Sequence, residues 1–177
     1  LAERLDAARA EISEKNAADV EAARKNGLSE AKLDRLTLTK ARLDEIIGGV
    51  RKVAQLPDPV GEEFDFRVLP NGLRLRKRRV PIGVLGVIYE ARPNVTVDIA
   101  SLALKTGNAC ILRGGSETFG TNMVLTRIIR VALTESSLPE ASVTYIADTD
   151  RKYVGELLTI CRHDYPARRA RACRALP

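Results

Sequence analysis

Two short polar stretches hold most of the chemistry in this chain: Glu90-Ala91-Arg92-Pro93-Asn94 and Arg113-Gly114-Gly115-Ser116-Glu117. Each directly follows an apolar run, IGVLGVIY before the first and ACIL before the second. Asn94 is the candidate catalytic group. An amide N–H at a strand end can donate to an oxyanion as charge develops, a role worth roughly 3–4 kcal/mol in acyl-transfer sites. Pro93 would fix the approach to it. The alternative for Asn94 is a cap on the helix that follows. In the second stretch a cation, two glycines that admit a close backbone approach, and a hydroxyl beside a carboxylate suit a nucleotide ribose and its phosphate. The competing reading is a strand-to-helix turn in which Ser116 or Glu117 caps the next helix. Neither Gly83 with Gly86 nor Gly114-Gly115 with Gly120 makes a dinucleotide fingerprint, and no phosphate loop ending in Gly-Lys-Ser/Thr occurs. Cys110 sits in an apolar run, where a free thiol is a small hydrophobe. Cys161, His163 and Cys173 lie near the C-terminus, and no nucleophile has a base beside it. One histidine and no Cys-x-x-Cys pair exclude a zinc cluster.

The elements that must position these stretches follow from periodicity. Residues 1–60 predict a helical layer: LAERLDAARAEI, then AADVEAARKNG capped by Asn16 and stopped by Gly27, then SEAKLDRL capped by Ser29. Thr39 caps KARLDEIIGGVRKVAQL, whose Leu43, Ile46, Ile47, Val50 and Val53 form one stripe. Residues 61–80 predict a β-hairpin, because Asn71-Gly72 lies between alternating runs; Arg74, Arg76 and Arg78 share one face of its second strand. Residues 81–160 read strand–helix–strand–helix–strand with short links, the pattern of a parallel sheet. IGVLGVIY is apolar throughout, as for a strand covered on both faces. The fold class is therefore α/β: a helical layer, a hairpin, and part of a doubly wound nucleotide-binding sheet. In such sheets ligands bind beyond the carboxyl ends of the strands, which places Asn94 and Arg113 at neighbouring exits facing a shared cleft.

Composition narrows the classes. With 177 residues, 45% hydrophobic and 29% charged, the chain is globular rather than disordered. No apolar run approaches the ~20 residues that cross a bilayer, which excludes a membrane partner. An odd cysteine count argues for a reducing compartment, and so for the cytoplasm. The net charge of +6 is concentrated in residues 161–177, which hold five arginines and one aspartate; the rest has 24 basic against 22 acidic residues. That distribution argues against a nucleic-acid face. A non-catalytic nucleic-acid-binding module using the basic strand and tail is the alternative from a different class.

RRVPIGVLGVIYEARPNVTVDIASLALKTGNACILRGGSE, with KNGLSEAKLDRLTLTKARLDEI upstream, resembles the γ-glutamyl phosphate reductase family of the aldehyde dehydrogenase superfamily, and the likeness runs to about Leu158. The resemblance implies NADPH-dependent reduction of L-glutamyl 5-phosphate to glutamate 5-semialdehyde and phosphate in proline biosynthesis, through a cysteine thioester. It implies that Pro93-Asn94 corresponds to the superfamily's Pro-Trp-Asn element without the tryptophan, which makes Asn94 the oxyanion donor. It also implies that Arg113 stands where a lysine often contacts the cofactor ribose, and that Ser116-Glu117 matches a Ser-Glu step. Arg92, Pro93, Arg113, Gly114, Gly115, Ser116 and Glu117 are then the cofactor-side set, with Arg92 a candidate for meeting a phosphate. The hairpin corresponds to oligomerisation strands, which implies a homo-oligomer, and functional coupling to a glutamate kinase is a further expectation. An acyl-phosphate or aldehyde dehydrogenase with another substrate is the nearest alternative.

The resemblance breaks near the C-terminus. The family's catalytic cysteine, in a Ser-Thr-Cys-Asn segment, has no counterpart here, so the expectation is an N-terminal portion that is inactive alone. The chain also begins at Leu1 rather than Met. Read one base out of frame with permissible codons, Cys161 to Arg169 becomes Val-Asp-Met-Ile-Ile-Pro-Arg-Gly, close to the family's continuation. A frameshift just before Cys161 is the expectation for this aberrant basic tail, an RNA-binding arm its alternative.

Overall fold

In a computed structural model the backbone is described for residues 1–163 and the side chains for residues 1–159. The frameshift and RNA-arm readings of the tail fall on residues 164–177, outside the described residues; residues 161–163 form the end of a helix. Four helices come first: α1 (Ala2–Ala7), α2 (Arg9–Lys25), α3 (Glu30–Leu36) and α4 (Lys40–Gln55). Strands β1 (Glu63–Val68) and β2 (Arg74–Arg78) follow. The rest is β3 (Val84–Ile88), α5 (Asn94–Lys105), β4 (Ala109–Arg113), α6 (Phe119–Glu135), β5 (Val143–Tyr145) and α7 (Lys152–His163).

β3, β4 and β5 form a parallel sheet in that order. Ala100 and Ala103 of α5 and Ile129 and Leu133 of α6 bury against Cys110, Leu112 and Val143. The opposite sides of α5 and α6 carry the helical layer, where Leu5, Ile12, Leu43, Ile46, Ile47 and Val50 pack on Val97, Val124, Leu125 and Ile128. Each fully buried Leu or Ile there contributes roughly 1.5–3 kcal/mol. The sheet is thus covered by two successive helical layers on one side.

The local chemistry explains most element ends. Thr39 accepts a hydrogen bond at its Oγ1 from the Arg42 amide at 3.2 Å and so caps α4 as expected. Gly107 takes φ 68°, and the Asn108 amide reaches back to the Ala103 carbonyl at 2.8 Å, closing α5 with a left-handed turn. Gly72, at φ 83°, turns the antiparallel β1–β2 hairpin, and the Asn71 side chain accepts from the Leu73 amide. A bulge between Phe64 and Arg67 puts Asp65 at φ 58°.

Three expectations need correction. Asn16 does not cap a helix: α2 runs through it, and the break from α1 falls at Ala8 instead. Its side chain, 3% exposed, donates to the Leu36 carbonyl at 2.9 Å and accepts from the Leu38 amide at 2.7 Å. A polar residue that reads as a helix start is a clamp on the α3–α4 link. Ser29 stands at the start of α3, but its side chain makes no cap hydrogen bond. β3 is not fully covered on both faces: Leu85 and Val87 pack inward, while on the other side, where α7 approaches the strand, Val84 and Ile88 remain 48% and 39% exposed.

Replacing Asn16 by Leu, similar in size, leaves the Leu38 N–H and the Leu36 carbonyl without their side-chain partner in a buried interface. We expect a loss of about 1–3 kcal/mol, read as a lower urea midpoint at unchanged m-value.

Candidate functional site

Both polar stretches lie at the carboxyl end of the sheet. β3 and β4 pair in register from Val84 with Ala109 to Ile88 with Arg113, and the Tyr89 amide donates to the Arg113 carbonyl at 3.0 Å. The chain then turns sharply, the Arg92 amide meeting the Glu90 carbonyl at 2.6 Å, and α5 opens with Pro93 at its N-cap. Ala91 and Pro93 are buried whereas Arg92 is exposed. The expected common cleft for Asn94 and Arg113 is not what the geometry shows. Cys110 and Leu112 point to α5 and α6, so strand alternation sends Arg113 to the other face.

Asn94 is the first residue of α5 and half-buried. It makes no cap hydrogen bond; its Nδ2 donates to Asp98 Oδ2 at 3.0 Å, one turn along. An amide nitrogen carries two hydrogens, so this bond orients the group and leaves the second N–H for a ligand. Burial pushes the Asp98 carboxyl above its ordinary range, and the Asn94 hydrogen bond pulls the other way. Both residues line a cleft of about 360 Å³ shared with Arg92 and with residues of α3 and α4.

Arg113 is 8% exposed, with no carboxylate partner among the described residues. Its Nη1 donates to the Gly114 carbonyl at 2.6 Å and its Nη2 to the Thr149 carbonyl at 2.8 Å, while Nε is buried without a partner. A buried guanidinium held only by neutral carbonyls is under-compensated, since burying a charge is costly unless it meets an opposite one.

Gly114 and Gly115 are small for different reasons. A Cβ on Gly114 would lie 2.3 Å from Asn122 Nδ2 and 3.2 Å from both Thr118 Oγ1 and Tyr145 Oη. One on Gly115 would meet the Glu117 carboxylate at 2.4 Å. Glu117 can swing away, whereas Asn122 is 0% exposed and fully bonded. Its Oδ1 accepts from Thr96 Oγ1 at 2.7 Å, and its Nδ2 donates to Thr118 Oγ1 at 2.8 Å. Thr118 Oγ1 in turn donates to the Gly115 carbonyl at 2.9 Å, and Tyr89 Oη lies 2.6 Å from Thr96 Oγ1.

Neither Ser116 nor Glu117 caps α6. Ser116–Thr118 form a 3₁₀ turn, and Ser116 Oγ reaches only the Glu117 carboxylate, at 3.5 Å. The cap comes from α2: Asp19 accepts from the Thr121 amide at 2.7 Å, from Thr121 Oγ1 at 2.6 Å and from the Gly120 amide at 3.3 Å. Sequence reasoning missed Asp19, Asn122 and Asp98. The polar residues in TFGTN, opening an amphipathic helix, were the available signal for Asn122. Among the described residues no group of three His, Cys, Asp or Glu side chains could hold a metal ion, and no helix is long and apolar enough to cross a membrane.

A half-sheet wrapped in helices, with polar loops at its strand exits, is an arrangement known in solved proteins. The structure is similar to a NAD-dependent benzaldehyde dehydrogenase from Corynebacterium glutamicum (TM-score 0.57, 23% identity, 87% of this chain and 30% of that one). The fold is that of the aldehyde dehydrogenases. A nearer likeness is the γ-glutamyl phosphate reductase of Thermotoga maritima, with TM-score 0.82 and 50% identity over 89% of this chain and 38% of that one. In sequence the chain is 59% identical over 160 residues to the γ-glutamyl phosphate reductase of Tolumonas auensis, covering 90% of this chain and 38% of the relative. No family model matches. The chain is thus related over nine-tenths of its length to the γ-glutamyl phosphate reductases, and it spans about two fifths of the length of the curated relatives it matches.

Two outcomes follow from this geometry. Gly114→Ala should cost about 1–3 kcal/mol in chemical unfolding by overpacking Asn122, and Gly115→Ala clearly less. For Asp98 the folded carboxyl is raised, so its ionised form opposes folding and the loss grows as pH rises through the carboxylate range. Asp98→Asn should therefore raise the thermal midpoint at pH 7, with the gain shrinking as pH is lowered toward 4.

Proposed function

We propose that this chain is the part of a γ-glutamyl phosphate reductase that holds NADPH and shapes one wall of the substrate site. The observation that carries the reading is the pairing of β3 with β4, which brings YEARPN and LRGGSE to one end of a parallel sheet, where nucleotide ligands bind. The substrate follows from the relatives' name: L-glutamyl 5-phosphate is reduced to the semialdehyde and phosphate is released. NADPH supplies the hydride.

The residues present fit that cofactor. Arg113 is a buried cation whose partners are neutral carbonyls and whose Nε is unmet, and a phosphate on the cofactor ribose would complete it. The N-terminus of α6 is not available for this purpose, because Asp19 already occupies its amides. That supports NADPH over NADH, which lacks the ribose phosphate. Asn94, oriented by Asp98, has an N–H in reserve for the oxygen of the carbonyl under attack.

Cys110 does not supply a thiol for acyl transfer. It is 1% exposed, and burial pushes its thiol up to about 11, so it stays protonated at neutral pH. The nucleophile of such a reaction therefore comes from outside the described residues. Self-association through the hairpin is supported by its apolar outer side, where Phe66 and Val68 are each 68% exposed.

Titration by reduced-nicotinamide fluorescence tests the reading. NADPH should bind more tightly than NADH, and Arg113→Met should weaken NADPH about tenfold or more while leaving NADH nearly unchanged. Equal affinity for the two cofactors, unaltered by the substitution, refutes it.

A further inference from the structure

The cleft beside Asn94 holds charges of both signs that leave each other alone. It is bounded by the end of α3, the first turns of α4 and the start of α5, and its volume of about 360 Å³ falls in the range of small-molecule sites. Arg42 is committed elsewhere: its Nη2 lies 3.0 Å from each Asp34 carboxylate oxygen and its Nη1 donates to the Thr37 carbonyl. The other charged groups are uncommitted. Among the described residues neither Arg35 nor Arg92 pairs with a carboxylate, and neither Glu45 nor Asp98 pairs with a cation.

Elsewhere some opposite charges do meet across separate elements, Arg4 with Glu135, Arg127 with Glu11 and Arg130 with Glu140, whereas those gathered around this cleft do not. Two guanidiniums and two carboxylates around one cavity, unpaired, match a ligand carrying both signs. A simple dianion would be repelled by Glu45 and Asp98, and a cation by Arg35 and Arg92.

We propose that this cleft binds the α-ammonium and α-carboxylate of an amino-acid substrate, with Glu45 and Asp98 facing the ammonium and Arg35 and Arg92 the carboxylate. The inference rests on the reductase reading and deepens it: the head group is gripped between α3, α4 and α5, and the side chain runs toward the Asn94 amide. Asp98 then has two tasks, orienting Asn94 and reading the ammonium. Burial of its carboxylate, unfavourable in the free protein, is offset when the ammonium arrives.

Calorimetric titration of the whole chain with L-glutamine, whose uncharged side-chain carbonyl stands in for the acyl phosphate, tests this. Glutaramate, which lacks the ammonium, and 4-aminobutanamide, which lacks the carboxylate, are the paired probes. L-glutamine should bind, and each truncated probe should bind about tenfold more weakly or worse. Glu45→Gln and Asp98→Asn should weaken L-glutamine but not glutaramate; Arg92→Ala should weaken L-glutamine but not 4-aminobutanamide. Circular dichroism verifies that each variant is folded. Glutaramate binding as tightly as L-glutamine overturns the proposal, as does an unchanged L-glutamine affinity in all three variants. If L-glutamine fails to bind while NADPH binds, the head-group site falls and the reductase reading stands; if neither binds, both fall.

Discussion

A single donor chain, buried along most of its length, joins the elements around the first two strand exits. Thr96 Oγ1 gives its one proton to Asn122 Oδ1, so the contact with Tyr89 must run from the phenol to Thr96. Asn122 Nδ2 donates onward to Thr118, and Thr118 to the Gly115 carbonyl. Tyr89, Thr96, Asn122, Thr118 and Gly115 thus form a relay with one direction. It links the end of β3, the first turns of α5 and α6, and the glycine loop. Such chains polarise one another, and a fully satisfied one in a dry interior specifies a unique arrangement. Burial raises the Tyr89 phenol far above its ordinary range, which keeps its proton in place and the direction fixed. The glycine at 114 follows from it: the loop has no room for a side chain because the relay runs beneath it.

The helical layer is tied to that relay by α2 rather than merely laid over it. Asn16 holds the α3–α4 link and lies 3.4 Å from Thr121, and Asp19 caps α6. One helix face therefore sets both the first turn of α6 and the position of α4 against α5. The electrostatic consequence bears on ligands. With a carboxylate at its amides, α6 cannot serve as the anion-binding helix end that many nucleotide folds use. Any phosphate drawn to this loop must answer to a side-chain cation, and Arg113 is placed for that.

How much of this the sequence discloses depends on the range of the interaction. Alternation and apolar runs locate β1 to β5, and the Asn71-Gly72 turn, the Thr39 cap and the Gly107 stop are local events written in adjacent residues. Asn16, Asp19 and Asn122 mislead or stay silent because their partners are about 20, 102 and 26 residues away. A polar side chain satisfied at such distance looks like a cap or a surface group until the chain is folded. For the same reason Asn94 and Arg113 are correctly placed at one end of the sheet but wrongly assigned a common cleft. The strand exits are legible, whereas the face each side chain takes depends on which side α5 and α6 cover. The apolar run of β3 suggests two covered faces, yet the second is only partly covered here.

Charge sorting separates what holds the fold from what the fold presents. The exposed pairs, such as Arg127 with Glu11 or Lys25 with Glu21, are screened by solvent and contribute little each, so they could be lost with small effect. Many exposed charges on the outer helices, such as Glu14, Lys15, Lys32 and Lys40, have no ion-pair partner among the described residues and are solvated. Arg92, Arg113, Glu45 and Asp98 are set apart by their place, all close to the strand exits or the cleft beside them. Folding alone would favour neutralising them: a half-buried carboxylate and a buried guanidinium both oppose stability unless an opposite charge arrives. Their gathering at one end of the sheet is explained if the missing partners are ligands. On the proposed reading the two sheet faces divide the work: Arg113 would meet the cofactor on one side and Asp98 and Arg92 the substrate on the other, with the Tyr89–Asn122 relay holding the two strand exits in fixed register.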